Sequence, residues 1–219
     1  MKLRFSHQRN QALTRTEAIV VVATLAVLFV LLLPALVPVH NGRQRINCIS
    51  NLKQIGIAYR LWEGDNNDKY PMAVSVTNGG AMELVAIGNV AACFQVMSNE
   101  LSTPKILVCP EDTHLVWATN FSTGFDNSHI SYFVGLDATE TNPQMFLSGD
   151  DNFAISGVPV KSGILPLFTN APVTWTRARH KYVGGHIGMA DGMVQQVTTS
   201  WLRIALTKTG IATNRLAIP

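Results

Sequence analysis

An uninterrupted apolar run near the amino end is the most strongly patterned part of the chain. Residues 18–39 are 22 positions without a charged side chain. As an α-helix this run is roughly 33 Å long, enough to cross the hydrocarbon core of a bilayer. A secretory signal peptide has a shorter apolar core followed by a small-residue cleavage site, whereas here the small residue Ala12 precedes the run. The pattern therefore predicts one retained membrane helix over residues 13–39.

The pattern then changes to a helix with two unlike faces. Pro34 and Pro38 predict a kink or an end of the apolar helix, because proline removes a backbone donor. Apolar residues next recur every three or four places, the spacing of an amphipathic helix. They are Ile46, Ile49, Leu52, Ile55, Tyr59 and Trp62. We expect this helix, residues 40–64, to continue into a head domain and to carry it on one face.

Beyond Pro71 the apolar runs are short and are separated by Gly, Pro, Asn and Asp. Residues 106–109, 130–136 and 164–169 are rich in β-branched and aromatic side chains, which predicts strands. Residues 82–97 fit a helix or a strand equally well.

Near the carboxyl end, the pattern predicts a hairpin and a helix. Apolar segments flank Asp191-Gly192, a dipeptide typical of hairpin turns because both residues tolerate positive φ. Ser200 is the expected cap of a helix over residues 201–208, and Gly210 is expected to end it.

These elements predict the α+β class: a long N-terminal membrane-spanning helix extended into a head with an antiparallel β-sheet. No strand–helix–strand periodicity favours a parallel sheet. With 219 residues, of which 47% are apolar, the chain is long enough for the helix and one head domain, residues 65–219, with its own core.

Charges at the amino end indicate the orientation of the helix. Basic residues precede it and no acid occurs before Glu17. The positive-inside rule therefore places the amino end in the cytoplasm and the head in the periplasm or outside the cell. Glu17 itself has two interpretations: an intramembrane acid with a functional partner, or a residue at headgroup level that starts the helix.

The basic leader followed by Ala12, Leu13, Thr14 and Glu17 against an apolar helix resembles the prepilin signal of type IV pilins and type II secretion pseudopilins. The resemblance implies a leader of residues 1–12. It implies that prepilin peptidase cleaves between Ala12 and Leu13 and that Leu13 becomes an N-methylated first residue.

The same resemblance implies a partner for Glu17. In this family the acid pairs with the terminal amine of a neighbouring subunit while the helices pack into a filament. Two opposite charges that leave water together cost less than one alone. The chain departs from the family pattern at Ala12, where Gly is commoner, and at Arg15, where an apolar residue is usual.

Further stretches resemble pilin-like proteins of planctomycetes and verrucomicrobia. One is CISNLKQIGIAYRLWEGDNNDKYP, and others are NELSTPKILVCPED and ISYFVGLDATETNPQMFLSGD. His180, a Gly pair and Asp191-Gly192 resemble the H-X9-DG element of that group, although ten residues separate His180 from Asp191 here. These segments indicate a family more than a mechanism.

Three cysteines, Cys48, Cys93 and Cys109, lie beyond the membrane helix, where the compartment is expected to be oxidising. One disulfide and one free thiol is the first interpretation, and three reduced buried cysteines is the alternative. Sequence leaves three pairings open. Cys48 with Cys109 is favoured because it would join the helix to the sheet. Neither a Cys-x2-Cys pair nor a His-Glu-x2-His segment occurs, so we expect no metal site and no cofactor.

A hydrolase site can be assembled on paper from His180, His186 and Asp191 together with Asp150 and Asp151. No serine lies on a Gly-x-Ser-x-Gly turn, and His and Asp beside a Gly-rich hairpin are commonly turn and capping residues. We therefore expect no catalytic residues and no enzyme. Asp150 and Asp151 have a second interpretation as calcium ligands, and a third as an ordinary polar turn.

Charge excludes one class of partner. The formal charge of +3 falls to near zero once Lys2, Arg4 and Arg9 are removed with the leader, so nucleic acid is not expected to bind. The expected partners are prepilin peptidase, other copies or related pilin or pseudopilin subunits, and the lipid bilayer of the bacterial inner membrane. A membrane-anchored binding module that never polymerises is the first alternative, and an anchored hydrolase is the second.

Overall fold

The computed structural model describes residues 14–36, 40–180 and 183–219, with the side chains of these ranges except residues 33–36 and 40–44. The chain divides into two compact units, the first ending at His40 and the second comprising Asn41–Pro219. The expected leader and its cleavage site, Ala12 and Leu13, lie outside the described residues.

Within these ranges the chain forms six α-helices and nine β-strands. The helices are α1 (Arg15–Leu36), α2 (His40–Asp65), α3 (Met82–Ala86), α4 (Val90–Val96), α5 (Ser98–Leu101) and α6 (Thr199–Lys208). The strands are β1 (Tyr132–Gly135), β2 (Phe146–Asp150), β3 (Phe153–Ile155), β4 (Val158–Pro159), β5 (Gly163–Phe168), β6 (Val173–Trp175), β7 (Gly185–Met189), β8 (Val194–Val197) and β9 (Thr213–Ile218).

The first unit contains α1, whose window Arg15–Leu32 is long and apolar enough, by length and composition, to cross a membrane. It is the one such helix in the part of the chain that the structure describes. Its side chains from Arg15 to Leu32 are exposed.

The second unit, which we call the head, is built on an antiparallel sheet in the order β5-β9-β1-β2-β7-β8. A smaller antiparallel sheet has the order β4-β3-β6. The α+β class, with an apolar amino-terminal helix and an antiparallel sheet, is confirmed.

Both faces of the large sheet are covered. Along β1, Tyr132 and Val134 belong to an apolar cluster with α2 and α4, while Phe133 belongs to a second cluster with α6 and the small sheet. Successive strand residues point to opposite faces, so a strand covered on both sides is apolar throughout. The burial of every residue in β1 follows from this layering.

The head-facing side of α2 is close to the predicted one, with an error at Ile46. Leu52, Ile55, Tyr59 and Trp62 are buried as expected, but Ile46 is 67% exposed. The buried face starts at Cys48 and continues at steps of four and three residues. Ile46 lies two positions before Cys48, which is on the opposite side of a helix with 3.6 residues per turn.

Strand predictions hold for two of the three segments. Residues 130–136 contain β1 and residues 164–169 contain most of β5. The strand predicted for residues 106–109 is wrong, because a 3-10 helix occupies Pro104–Leu107. Pro104 stands in its first turn, where its missing N–H costs nothing, and the Thr103 side chain caps it by accepting from the N–H of Lys105. The ambiguous segment, residues 82–97, forms α3 and α4.

The carboxyl-terminal hairpin is confirmed, with a different turn. β7 pairs with β8, and the loop between them has three residues, Ala190 to Gly192, because the N–H of Met189 donates to the carbonyl of Met193. Only Gly192 of the loop has positive φ, at 83°. This is the three-residue hairpin loop whose last position favours glycine.

The helix after the hairpin begins earlier than predicted. Its cap is Thr198, whose side chain accepts from the N–H of Trp201, and Ser200 lies within α6. Threonine and serine cap equally well in chemical terms, so the error reflects the ±2-residue ambiguity of a Thr-Thr-Ser sequence. Gly210, at φ 77°, follows the end of α6 as expected.

Candidate functional site

Thr14 and Glu17 form a reciprocal hydrogen-bonded pair at the start of α1. The N–H and the hydroxyl of Thr14 donate to Oε2 of Glu17 at 2.8 and 2.9 Å, and the N–H of Glu17 donates to Oγ1 of Thr14 at 3.3 Å. This is a capping box, in which two residues three positions apart satisfy backbone donors that the helix leaves free. Glu17 is exposed and has a local role in starting the helix.

A second candidate site is a cluster of mostly buried charged side chains in the head, which we call the His180 cluster. It contains Arg45, Glu111, Asp112, Asp150, Asp151, Arg179, His180 and His186. Side chains of Asp112, Asp150, His180 and His186 have no exposed surface. Buried charges are expensive without partners, so their pairing determines what the cluster does.

Secondary structure brings the cluster together from four segments. Asp150 ends β2 and, since Gly149 pairs with Ile187 on β7, it lies opposite His186. Glu111 and Asp112 follow Cys109 after one proline, and Cys109 forms a disulfide with Cys48 of α2 across a Cα–Cα distance of 5.1 Å. His180 and Arg179 lie between β6 and β7. The disulfide pairing is the one favoured in the sequence analysis, and Cys93 is buried with a free thiol.

His180 is held between two acids. Its Nδ1 lies 2.7 Å from Oε2 of Glu111, and its Nε2 lies 2.9 Å from Oδ2 of Asp150. The same oxygen of Asp150 accepts from the backbone N–H of His186 at 2.6 Å and lies 2.9 Å from its Nδ1. One carboxylate oxygen therefore meets three nitrogen atoms.

Arg179 forms the other half of the cluster. Its guanidinium pairs with both Asp112 and Asp151, with 2.6 Å between Nη2 and Oδ2 of Asp151. Asp112 also accepts from the hydroxyl of Ser131 at 3.1 Å, and Ser131 accepts from the N–H of Cys109 at 3.0 Å. A single cation thus joins the segment after the disulfide to the end of β2.

Burial and hydrogen bonding move the pKa values in opposite directions. Burial by itself would raise the pKa of Asp150, but hydrogen bonds from His180 and His186 outweigh it and lower the pKa to about 2. For Asp151 burial prevails over the attraction of Arg179 and raises the pKa to about 6. Burial would lower the pKa of His180, yet Asp150 and then Glu111 outweigh it, and the pKa is raised.

Metal binding fits the cluster poorly. Cys109, Asp150 and His180 offer ligand atoms within 4.8 Å of one another. However, the sulfur of Cys109 is in a disulfide, and the thiolate is the form of cysteine that ligates metals. Both ring nitrogens of His180 also face carboxylate oxygens.

The described contacts also do not form a hydrolase site, which requires a nucleophile beside a base. The hydroxyl of Ser131 belongs to the network, but it donates to Asp112 and contacts neither histidine in the described hydrogen bonds. A cavity of about 350 Å³ lies beside Asp151, Asn152 and Arg179, and neither histidine lines it. The arrangement links charged groups across the fold.

The structure separates the parts of the H-X9-DG-like element. His180 lies in the buried cluster, whereas Oδ1 of Asp191 accepts from the N–H of Met193 at 2.8 Å within the hairpin loop. Between His180 and Asp191 lies a pair of glycines, and packing explains the second of them, Gly185. A Cβ at Gly185 would overlap the ring of Trp175, so only glycine fits there.

Sequence reasoning missed the partners of His180. It named Asp150, Asp151 and His186 only as hydrolase or calcium candidates, and it gave no role to Arg179 or to the acids of Cys109-Pro-Glu-Asp. The pairing of Glu111 with His180 spans 69 residues, a separation at which no local pattern operates. The sequence does carry a weak signal, namely two adjacent acids one residue after a disulfide cysteine and an Arg-His pair elsewhere in the chain.

Comparison with known proteins gives no match to a family model, a curated protein or a solved structure.

Proposed function

We propose that the chain is a pilin-like or pseudopilin subunit. It is processed by prepilin peptidase, held in the bacterial inner membrane with its head in the periplasm or outside the cell, and assembled through α1 into a filament linked to type II secretion or type IV pilus function. Assembly, with no turnover chemistry, is its mechanism.

The observation that carries this proposal is the exposure of α1. Its side chains from Arg15 to Leu32 are exposed, and this window is apolar enough to cross a membrane. An apolar surface of this size is not stable in water and needs lipid or other helices. The head, by contrast, has its own cores. Lateral packing of α1 between subunits would cover this surface.

The Thr14–Glu17 capping box favours a second candidate, a membrane-anchored binding module that does not polymerise. In that function the role of Glu17 is limited to capping the start of α1, where its carboxylate accepts two hydrogen bonds from Thr14. The two candidates differ in whether the charge of Glu17 is needed by a second molecule.

The substitution Glu17→Gln distinguishes the filament subunit from the anchored binding module. Glutamine can take the place of glutamate in a capping box, so the start of α1 is preserved while the charge is lost. The matched control is Thr14→Ala, which weakens the cap and keeps the charge. Each variant is expressed in the native host at equal membrane level, and subunits are cross-linked in intact cells and resolved as a ladder of oligomers.

The assembly proposal predicts that Glu17→Gln abolishes the ladder and that Thr14→Ala retains it. A ladder unchanged in Glu17→Gln contradicts the proposal and supports the anchored module. Loss in both variants with reduced membrane insertion would assign Glu17 to helix formation alone.

A further inference from the structure

Each ring nitrogen of His180 faces a carboxylate oxygen, at 2.7 Å for Glu111 and 2.9 Å for Asp150. The side chain has no exposed surface, so water does not compete for these contacts. A carboxylate only accepts hydrogen bonds, and a neutral imidazole has a single N–H donor. If both contacts are hydrogen bonds, either the imidazole carries two protons or one of the acids carries one.

The surroundings of Asp150 and Glu111 place the second proton on His180. Oδ2 of Asp150 already accepts from the backbone N–H of His186, a donor that cannot reverse its role. An oxygen that carried its own proton would be a poor acceptor for that group. Glu111 lies 3.8 Å from the guanidinium of Arg45, so its carboxyl group faces a positive charge on the side away from its contact with His180.

We propose that His180 is an imidazolium in the folded head at neutral pH, a structural cation that fastens the segment after the disulfide to β2, so that the head loses stability in alkaline solution. The proposal is independent of filament assembly.

Charges on every element packed around His180 agree with this assignment. Among the described residues they are Arg45 on α2, Glu111 and Asp112 after the disulfide, Tyr132 on β1, Asp150 and Asp151 at the end of β2, Arg179, and His186 on β7. Burial raises the pKa of the Tyr132 hydroxyl well above its usual value, so that group stays neutral. Four carboxylates thus face two arginines, and an imidazolium reduces the excess negative charge. Lys181 and Tyr182 lie outside the described residues.

The direction of the pH effect follows from the pKa of His180. Burial would lower this pKa, but the hydrogen bonds and charges of Asp150 and Glu111 outweigh burial and raise it. A histidine with a raised pKa in the folded state stabilises the fold fully below its unfolded pKa of about 6.5. That stabilisation is lost as the pH rises through the folded pKa.

Proton counting by NMR tests the assignment directly. The full chain, labelled with 15N-histidine, is purified in detergent micelles at pH 7.5, and the ring nitrogens are correlated with their protons. His180→Gln identifies the His180 signal by its disappearance. We expect that signal to show two protonated ring nitrogens, and a single protonated nitrogen would overturn the proposal. The spectrum of the unaltered chain gives the number of doubly protonated rings even where the variant fails to fold, and none would also overturn it.

Unfolding by urea between pH 6 and 9, followed by tryptophan fluorescence, tests the consequence. The midpoint of the unaltered chain is expected to shift to lower urea as the pH rises above about 6.5. His180→Gln should unfold at lower urea throughout and lose this shift, whereas His114→Gln, which removes an exposed histidine, should keep it. A midpoint that does not change with pH in the unaltered chain, or an equal shift in His180→Gln, would contradict the proposal.

Discussion

Glu17 at the start of α1 and Asp150 at the end of β2 are both carboxylates on mainly apolar elements, but their partners differ. Glu17 is exposed and bonds to Thr14, three residues away. Asp150 is fully buried and bonds to His180 and His186, which are 30 and 36 residues away. A local partner fixes only the local helix, whereas distant partners fix the tertiary fold. The first unit has a large exposed apolar surface, whereas the head has apolar cores of its own.

The largest expected effect that separates the two carboxylates is on unfolding of the head. Asp150→Ala removes the carboxylate that faces ring nitrogens of both His180 and His186, and breaking a buried ionic network from one side costs about 3–5 kcal/mol. Glu17→Ala, the matched change in the first unit, should leave the free energy of unfolding of the head unchanged. Urea unfolding of both variants in detergent, followed by tryptophan fluorescence, measures this difference. Equal losses would show that the comparison is mistaken.

The next effect concerns the disulfide that positions the two acids of the cluster. Cys48 and Cys109 are 61 residues apart, and closing a loop of that length typically stabilises a fold by about 2–4 kcal/mol. Reduction, or replacement of both cysteines by alanine, should lower the free energy of unfolding by this amount.

Cys93→Ala provides the control, since Cys93 lies outside the disulfide. That variant should still lose stability when reductant is added, and the double variant should not respond to reductant. If the unfolding midpoint of the unaltered chain is the same with and without reductant, the disulfide does not stabilise the fold.

A smaller expected effect concerns Asp151 and the change of the free energy of unfolding with pH in acidic solution. Burial in the folded head raises the pKa of Asp151 from the ordinary value of 3.8 to about 6. The folded state therefore holds a proton that the unfolded state releases. The free energy of unfolding consequently falls by up to about 3 kcal/mol as the pH rises from 4 to 6. Asp151→Asn should flatten this slope while Asp112 keeps its pairing with Arg179. A slope of the same size in the variant would assign it to other groups.

The smallest effect tests the start of α6. Thr198→Ala removes the side chain that accepts from the N–H of Trp201, and loss of such a cap costs about 1 kcal/mol. Ser200→Ala, within the helix, should cost less, since alanine has the higher helix propensity. Thermal unfolding of the two variants distinguishes them, and a larger loss in Ser200→Ala would support the cap expected from sequence.

Local patterns predicted what depends on neighbours in sequence. The apolar run gave α1, the steps of three and four gave the buried face from Leu52 to Trp62, and Asp191-Gly192 gave the β7–β8 hairpin. Where two local signals competed, the prediction failed by a few residues, as at Ser200 and Thr198. At residues 106–109 the β-branched and apolar composition indicated a strand, but Pro104 and its Thr103 cap favour a helical turn.

The His180 cluster was beyond such patterns. Its pairs join residues 28 to 69 positions apart, and they depend on which strands are adjacent. Only the disulfide gave a long-range hint, because tying Cys109 to α2 also fixes the acids that follow it. His180 and Asp191 resembled one element because they are close in sequence, but they have separate contacts in the fold.

The intact mass of the amino-terminal peptide tests the central proposal most directly. The protein is purified from membranes of its native host, and the mass of its first residues is determined. The pilin-like function predicts a chain that begins at Leu13 and carries one added methyl group. A chain that still begins at Met1 would contradict it, because Glu17 would then have no processed terminal amine to meet in a neighbouring subunit.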